Sequence, residues 1–281
     1  MTAGYTIDDL RYLMQRLRDP ETGCPWDLKQ TYKTIASHTL EEVYEVIDTI
    51  ERNDLSHLGE ELGDLLFQVI FYSQLGSEEQ IFDFDTVVNG IVEKLVRRHP
   101  HVFPQGTLQS ERDPNVDAAA EEARIKQVWE QIKKQERAEK GERGTLDDIP
   151  MAMPALSRAQ KLQKRAATTG FDWDNCEDVL SKVKEEVAEL EAEMQADNNS
   201  AVNGQAVEEE LGDLLFSCVN LARHLGIDPE RAMRSANNKF QRRFEQIETL
   251  ASKNMPSGLS EMSVDEMELL WARVKAEEKQ L

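Results

Sequence analysis

One stretch of this chain is written twice. Glu60-Glu61-Leu62-Gly63-Asp64-Leu65-Leu66-Phe67 returns letter for letter as Glu209-Glu210-Leu211-Gly212-Asp213-Leu214-Leu215-Phe216. Around it, Gly23-x-x-Trp26-Asp27 returns as Gly170-x-x-Trp173-Asp174, and Glu41-Glu42-x-x-Glu45 returns as Glu185-Glu186-x-x-Glu189. Lys94-x-x-Arg97-Arg98 returns as Lys239-x-x-Arg242-Arg243, and Trp129-x-x-x-Lys133 as Trp271-x-x-x-Lys275. The features keep their order, and the period is far longer than the roughly 20–45 residues of a solenoid repeat. A whole domain is therefore duplicated, and any fold assigned to one half must suit the other. The chain has 281 residues, enough for two domains that each bury a core. Residues 141–150 are rich in Gly and acid, and Pro150 and Pro154 close the stretch. The boundary is placed there, giving a first domain at 1–140, a linker at 141–150 and a second domain at 151–281.

Between the turn signals the pattern is helical throughout. Runs of β-branched residues are scarce and strict alternation is not sustained. Thr6-x-x-Asp9 and Ser263-x-x-Glu266 read as capping-box helix starts. Helices are expected at 7–18, 33–52, 56–75, 85–98 and 116–140, then at 155–167, 177–196, 206–225, 229–251 and 264–279. Asp19-Pro20, Asn53-Asp54, His99-Pro100, Asp197-Asn198-Asn199 and Asp228-Pro229 punctuate them. The expected fold is all-α, two helical bundles in tandem.

The acids are placed with a regularity that solubility does not require. At about 100° per residue, Glu41, Glu42 and Glu45 share one face of their helix. Glu61 and Asp64 share a face of the next helix, beside an apolar row of Leu58, Leu62, Leu65 and Val69 that is expected to be buried. Folding the two helices at Asn53-Asp54 as an antiparallel hairpin brings these faces level. The second half repeats the arrangement with Glu186, Glu189, Glu210 and Asp213 and a longer hairpin loop. Carboxylates converging beside a core cannot all stay ionised without cations. Oxygen ligands suit Mg²⁺, Mn²⁺ or Ca²⁺. A single EExxE is an ordinary solvated helix face, but its duplication with ExxD on the adjoining helix argues for a site. Di-iron bundles place His three residues after Glu; here those places hold Glu45 and Asp64, so iron redox chemistry is disfavoured.

Charge narrows the partners. Lys and Arg number 33 against 54 Asp and Glu, a formal net of -21, which argues against a nucleic-acid polymer or an anionic membrane surface. Apolar runs are short, and acids stand near the start where a secretion signal needs positive charge. Cys24, Cys176 and Cys218 form no paired framework, so a reducing cytoplasm is expected.

The whole chain resembles the MazG-type nucleoside triphosphate pyrophosphohydrolases of the all-α NTP pyrophosphatase superfamily, in their tandem two-domain form. Leu40-Glu41-Glu42-x-x-Glu45, Glu61-Leu62-Gly63-Asp64 and Arg97-Arg98-His99-Pro100-His101-Val102-Phe103 carry the likeness in the first half. Ser157-Arg158-Ala159-Gln160-Lys161, Gly170-Phe171-Asp172-Trp173-Asp174 and the second acidic set carry it in the second. The resemblance implies a Mg²⁺-dependent homodimer, with Mn²⁺ able to substitute, that converts (d)NTPs to monophosphate and pyrophosphate. It implies Glu42, Glu45, Glu61 and Asp64, and Glu186, Glu189, Glu210 and Asp213, as metal ligands. It also implies that the second domain carries the main activity.

Other residues are read with two meanings each. Glu41 and Glu185 could orient or deprotonate a water, or be supporting or plainly exposed acids. Lys239, Arg242 and Arg243 could hold the leaving phosphates, or pair with neighbouring acids. Trp271 and Lys275 could stack a base and touch phosphate, or be a core Trp with a snorkelling Lys. Trp173 and Phe171 offer aromatic faces to a base and Asp172 an acceptor, where the first half has Trp26, Cys24 and Pro25. Trp26 and Trp173 could equally close the bundle. His38, His57 and His224 are expected to be structural. A rival to hydrolysis is a metal-stabilised helical dimer serving as a scaffold, its catalysis lost.

Overall fold

The computed structural model describes residues 4–112, 125, 128, 129, 131–133, 135, 136, 139, 144–197, 204–254, 259 and 262–278. All regular structure among them is helical. The chain divides into two compact units, Met1–Glu136 and Arg137–Leu281. The first holds α1 (Ile7–Leu17), a 3₁₀ turn (Asp27–Lys29), α2 (Tyr32–Glu51), α3 (Leu58–Glu78) and α4 (Phe84–Arg98). Beyond α4, the described residues between 125 and 139, among them Trp129, Lys133 and Glu136, are helical. The second unit holds α5 (Ala155–Ala167), α6 (Cys176–Asp197), α7 (Gly204–His224), α8 (Pro229–Asn254) and α9 (Val264–Glu278). Residues 141–143 of the expected linker and Asn198-Asn199 of the second hairpin loop lie outside the described residues.

Both expected capping boxes form. Thr6 Oγ1 accepts from Asp9 N at 3.4 Å and the Asp9 carboxylate accepts from Thr6 N at 2.8 Å. Ser263 and Glu266 exchange the same bonds at 2.8 and 3.3 Å. These boxes satisfy amide groups that the first turn of a helix leaves without partners.

In the first unit α3 packs against α1, α2 and α4. Met14, Ile35, Ile70, Phe71 and Leu75 form the core, with Leu10, Tyr32, Phe67, Tyr72 and Phe84 packed around them. Enclosing a side chain the size of Phe71 stabilises by about 1.5–3 kcal/mol. Arg18 fastens α1 to the end of α3 through two bonds to Glu78, at 2.8 and 2.7 Å, while its guanidinium lies 5.3 Å from the Phe71 ring centre. Burial lifts the Glu78 carboxyl, but its bonds from Arg18 and Gln74 leave it below the ordinary carboxylate range. Gly76 admits Phe82: a Cβ there would stand 2.7 Å from both the Phe82 ring and its carbonyl oxygen.

The apolar row beside Glu61 and Asp64 is less enclosed than the sequence suggests. Leu62 and Val69 are exposed, and so is Leu66, while the buried residues of α3 are Gln68, Ile70, Phe71, Ser73, Leu75 and Gly76. Core partners from α1 and the start of α2 meet the C-terminal half of α3, so its N-terminal half keeps an open apolar flank.

The second unit repeats the plan around α7, which packs against α5, α6 and α8, with α9 on α8. The matched glycines serve different ends. At Gly23 a Cβ would come within 2.5 Å of the Leu17 and Asp19 carbonyl oxygens, whereas Gly170 adopts a φ of 89°.

Candidate metal and phosphate site

The α2–α3 hairpin is set by its turn. Asn53 takes the left-handed conformation at φ 57°, and Asp54 N donates to Thr49 O at 2.8 Å, the reversed bond that ends a helix at a left-handed residue. Asp54 then accepts from Ser56 Oγ and bonds His57 Nδ1, both at 2.7 Å, which leads the chain into α3. The carboxyl of Asp54 is lowered by these bonds, and the His57 imidazole is raised by its bond to Asp54. His57 is thus a turn residue, as expected.

This turn brings Glu42 of α2 and Glu61 and Asp64 of α3 together, with one carboxylate oxygen of each within 4.8 Å of the others. Glu45 stands beside them, close enough to push both Glu42 and Glu61 upward. Glu42 is raised first by burial, then by the charges of Asp64, Glu45 and Glu41. Glu61 is raised first by burial, then by Glu45 and Asp64. The neutral amide of buried Gln68 donates to Glu42 at 3.4 Å.

In the second unit the α6–α7 hairpin brings Glu186, Glu189 and Glu210 within the same 4.8 Å, with Glu186 buried. Asp213 stands close enough to raise Glu210, after burial and Glu189. Each hairpin thus gathers three of its four expected acids into one cluster, leaving Glu45 and Asp213 at the edge. Sequence reasoning passed over one neighbour. Lys182 Nζ lies 2.9 Å from Glu185 and 2.8 Å from Glu186, and its ammonium is raised far above the ordinary lysine range, first by the bond to Glu186. Glu185 is therefore paired and exposed. Its spacing before the acids, three residues from Glu185 and four from Glu186, was the available signal.

The expected cationic residues form a second group. Arg242 Nη2 and Arg243 Nη2 both hold Glu278 of α9, at 2.8 and 2.7 Å. The same clamp joins Arg97 and Arg98 to Glu136, with bonds of 2.7 and 3.1 Å. Bonds from Arg98, with Arg97 behind them, hold the Glu136 carboxyl down at about 2. The repeated word is thus longer than first read, Trp-x-x-x-Lys-x-x-Glu in both halves. Of the two readings given for Arg242 and Arg243, pairing with an acid is present: each spends two donors on Glu278. Trp271 lies 5.4 Å from the Phe240 ring and 5.6 Å from the Arg243 guanidinium, and is half-buried. Trp129 is held likewise, 5.1 Å from His99 and 5.6 Å from Lys133 Nζ. Lys239 and Lys275 are exposed. Among the described residues no ion pair joins this group to the acidic cluster.

The Phe171-Asp172-Trp173 loop differs from expectation at its centre. Asp172 is not an open acceptor. Its carboxylate takes bonds from Arg223 Nη1 at 3.0 Å, a closer one from Arg223 Nη2, and others from His224 Nε2 at 3.0 Å and Trp173 N at 2.9 Å. A carboxylate has about four acceptor positions, so this one is filled. The bonds from Arg223, then His224 and the Trp173 amide, hold it at about 2. Phe171 and Trp173 remain exposed, at 76% and 40%. Trp26 lies edge-on to His38 at 5.8 Å.

A family model described as the MazG nucleotide pyrophosphohydrolase domain matches residues 30–103 and again 175–247, spanning both acidic hairpins. The chain is 49% identical over 274 residues to a nucleoside triphosphate pyrophosphohydrolase of Escherichia coli strain K12, covering 97% of this chain and 98% of that one. It is 38% identical over 273 residues to the Thermotoga maritima nucleoside triphosphate pyrophosphohydrolase/pyrophosphatase MazG, covering 97% of each. An uncharacterised Bacillus subtilis protein, YabN, is 42% identical over 275 residues, which are 98% of this chain and 53% of that protein.

Proposed function

Since the chain belongs to the MazG nucleotide pyrophosphohydrolase family, we propose that it hydrolyses nucleoside triphosphates, deoxy forms included, to monophosphate and pyrophosphate with Mg²⁺. The observation that carries this is the pair of hairpins that each draw three carboxylates within 4.8 Å. Glu42, Glu61 and Glu210 are all raised by burial and by neighbouring acids, the electrostatic state of a ligand set that a cation would relieve. An all-oxygen donor set of this kind fits Mg²⁺, with Mn²⁺ as a substitute.

Glu42, Glu45, Glu61 and Asp64 would hold the metal in the first unit, and Glu186, Glu189, Glu210 and Asp213 in the second. A divalent cation bound there neutralises triphosphate charge and lowers the pKa of a bound water. Glu41 and Glu185 are exposed beside the sets; either would accept a proton from that water or orient it, Glu185 once Lys182 has let it go. Lys239 and Lys275 are open cations for the β- and γ-phosphates, and Arg243 supplies its unspent donors behind the Trp271 ring. Exposed Phe171 and Trp173 offer stacking faces for a base, and Asp172 positions that loop instead of reading the base itself.

The working unit we propose is a homodimer. Leu40, Tyr44, Ile50, Leu62 and Leu66 on the first hairpin and Leu211, Leu215 and Phe216 on α7 are exposed, an apolar flank beside each acidic set that a second copy would cover. The described helices include none long and apolar enough to cross a membrane. The test is pyrophosphate release from mixed NTPs with and without Mg²⁺. Release is expected only with the metal. Glu189→Gln and Asp213→Asn should each abolish it with helix content intact, and full activity in both variants would remove these residues from the metal shell.

A further inference from the structure

The two acidic sets have the same carboxylates and different company. In the second, Lys182 Nζ sits 2.9 Å from Glu185, 2.8 Å from Glu186 and 4.0 Å from Glu189, so one ammonium spans the α6 side of the set. The Glu186 side chain is only 6% exposed, and Lys182 is its charged partner. In the first set the matching position, three residues before the leading Glu, is His38. Among the described acids His38 pairs with Glu41 alone, at 3.7 Å, and its ring is turned against Trp26. Glu42 accepts from the neutral amide of Gln68, where the second repeat has Ser217 after its Phe.

We propose that Lys182 is a resident counter-ion of the second acidic set that a divalent cation must displace, so that the two sets load unequally and free metal binds the first more tightly. The inference rests on the metal reading of these carboxylates given above. Metal entering the first set displaces water and relieves repulsion among Glu42, Glu45, Glu61 and Asp64. Metal entering the second must break the Lys182 contacts or sit within a few ångströms of a like charge. At ~4 Å and a dielectric between those of protein surface and water, that repulsion amounts to about tenfold in affinity or more. The second set is thereby partly neutralised between turnovers without holding metal.

The test is Mn²⁺ binding by the full-length protein without nucleotide, followed through the electron paramagnetic resonance signal of free aqueous Mn²⁺. Glu61→Gln disables the first set and Glu210→Gln the second, so each set is titrated alone. The first should bind about tenfold tighter than the second. Adding Lys182→Met to Glu61→Gln should tighten the second set by a similar factor, whereas Lys182→Arg, which keeps the charge, should leave it weak. Adding His38→Lys to Glu210→Gln should loosen the first set. This arm decides the matter if circular dichroism shows that Lys182→Met has lost its fold. Equal affinities of the two sets, or unchanged or weaker binding in Lys182→Met, would overturn the counter-ion role and leave the metal reading standing. Absence of Mn²⁺ binding at both sets would overturn the metal reading and this inference with it.

Discussion

Asp172→Asn separates a structural role from a substrate-reading role at one carboxylate. The side chains of Arg223 and His224 that hold Asp172 are only 11% and 12% exposed, so removing its charge strands a largely buried cation. The carboxyl is held at about 2 in the folded chain against an ordinary 3.8. That difference corresponds to about 2 kcal/mol of stability at neutral pH, an upper figure because Asp172 keeps some contact with solvent. The sign follows from a depressed acid. The stabilisation is complete above about pH 5, declines as pH falls below ~4, and is nearly gone at ~2, where the folded carboxylate protonates. Urea unfolding should therefore show Asp172→Asn less stable by about 2 kcal/mol at pH 7 and by about 1 kcal/mol at pH 3. In a unit of this size the pH 7 loss lowers the melting temperature by roughly 4–8 °C. Below that melting temperature, KM across a nucleotide panel should keep its rank order. A variant as stable as the parent, with a KM that changes for one base and not the others, would refute the reasoning and return Asp172 to the substrate.

Gly76→Ala should destabilise the first unit by about 1–3 kcal/mol, read by denaturant unfolding, because the new Cβ meets the Phe82 backbone as well as its ring. Light scattering at low micromolar protein should give about twice the 32.1 kDa chain mass; a clean monomer that still turns over NTPs would sink the dimer. Of the matched variants Glu45→Gln and Glu189→Gln, assayed on the same nucleotides, the second should lose nearly all hydrolysis and the first keep a substantial part. The exposed aromatic pair Phe171 and Trp173 belongs to the second unit, and holding the base fixes the reacting phosphorus.

The sequence alone determined the duplication, the helical class and most of the helix starts, because these depend on local terms; α3 and α8 run a turn further than the spacing predicts. Capping side chains, residue spacing and turn residues act over a few positions and need no knowledge of the rest of the chain. It also marked the acids that converge, since a hairpin folded at Asn53-Asp54 fixes which residues of its two helices stand opposite. The tertiary structure decided which charges remain available. Asp172 finds Arg223 at a separation of 51 residues, and Arg242 finds Glu278 at 36. The openness of the apolar row beside Glu61 belongs to the same class, because it depends on which helices reach that half of α3. Residue identity says that a carboxylate will seek a cation. Only the packing of distant helices brings a particular cation within 3 Å, and at that distance the attraction is large enough to choose the partner.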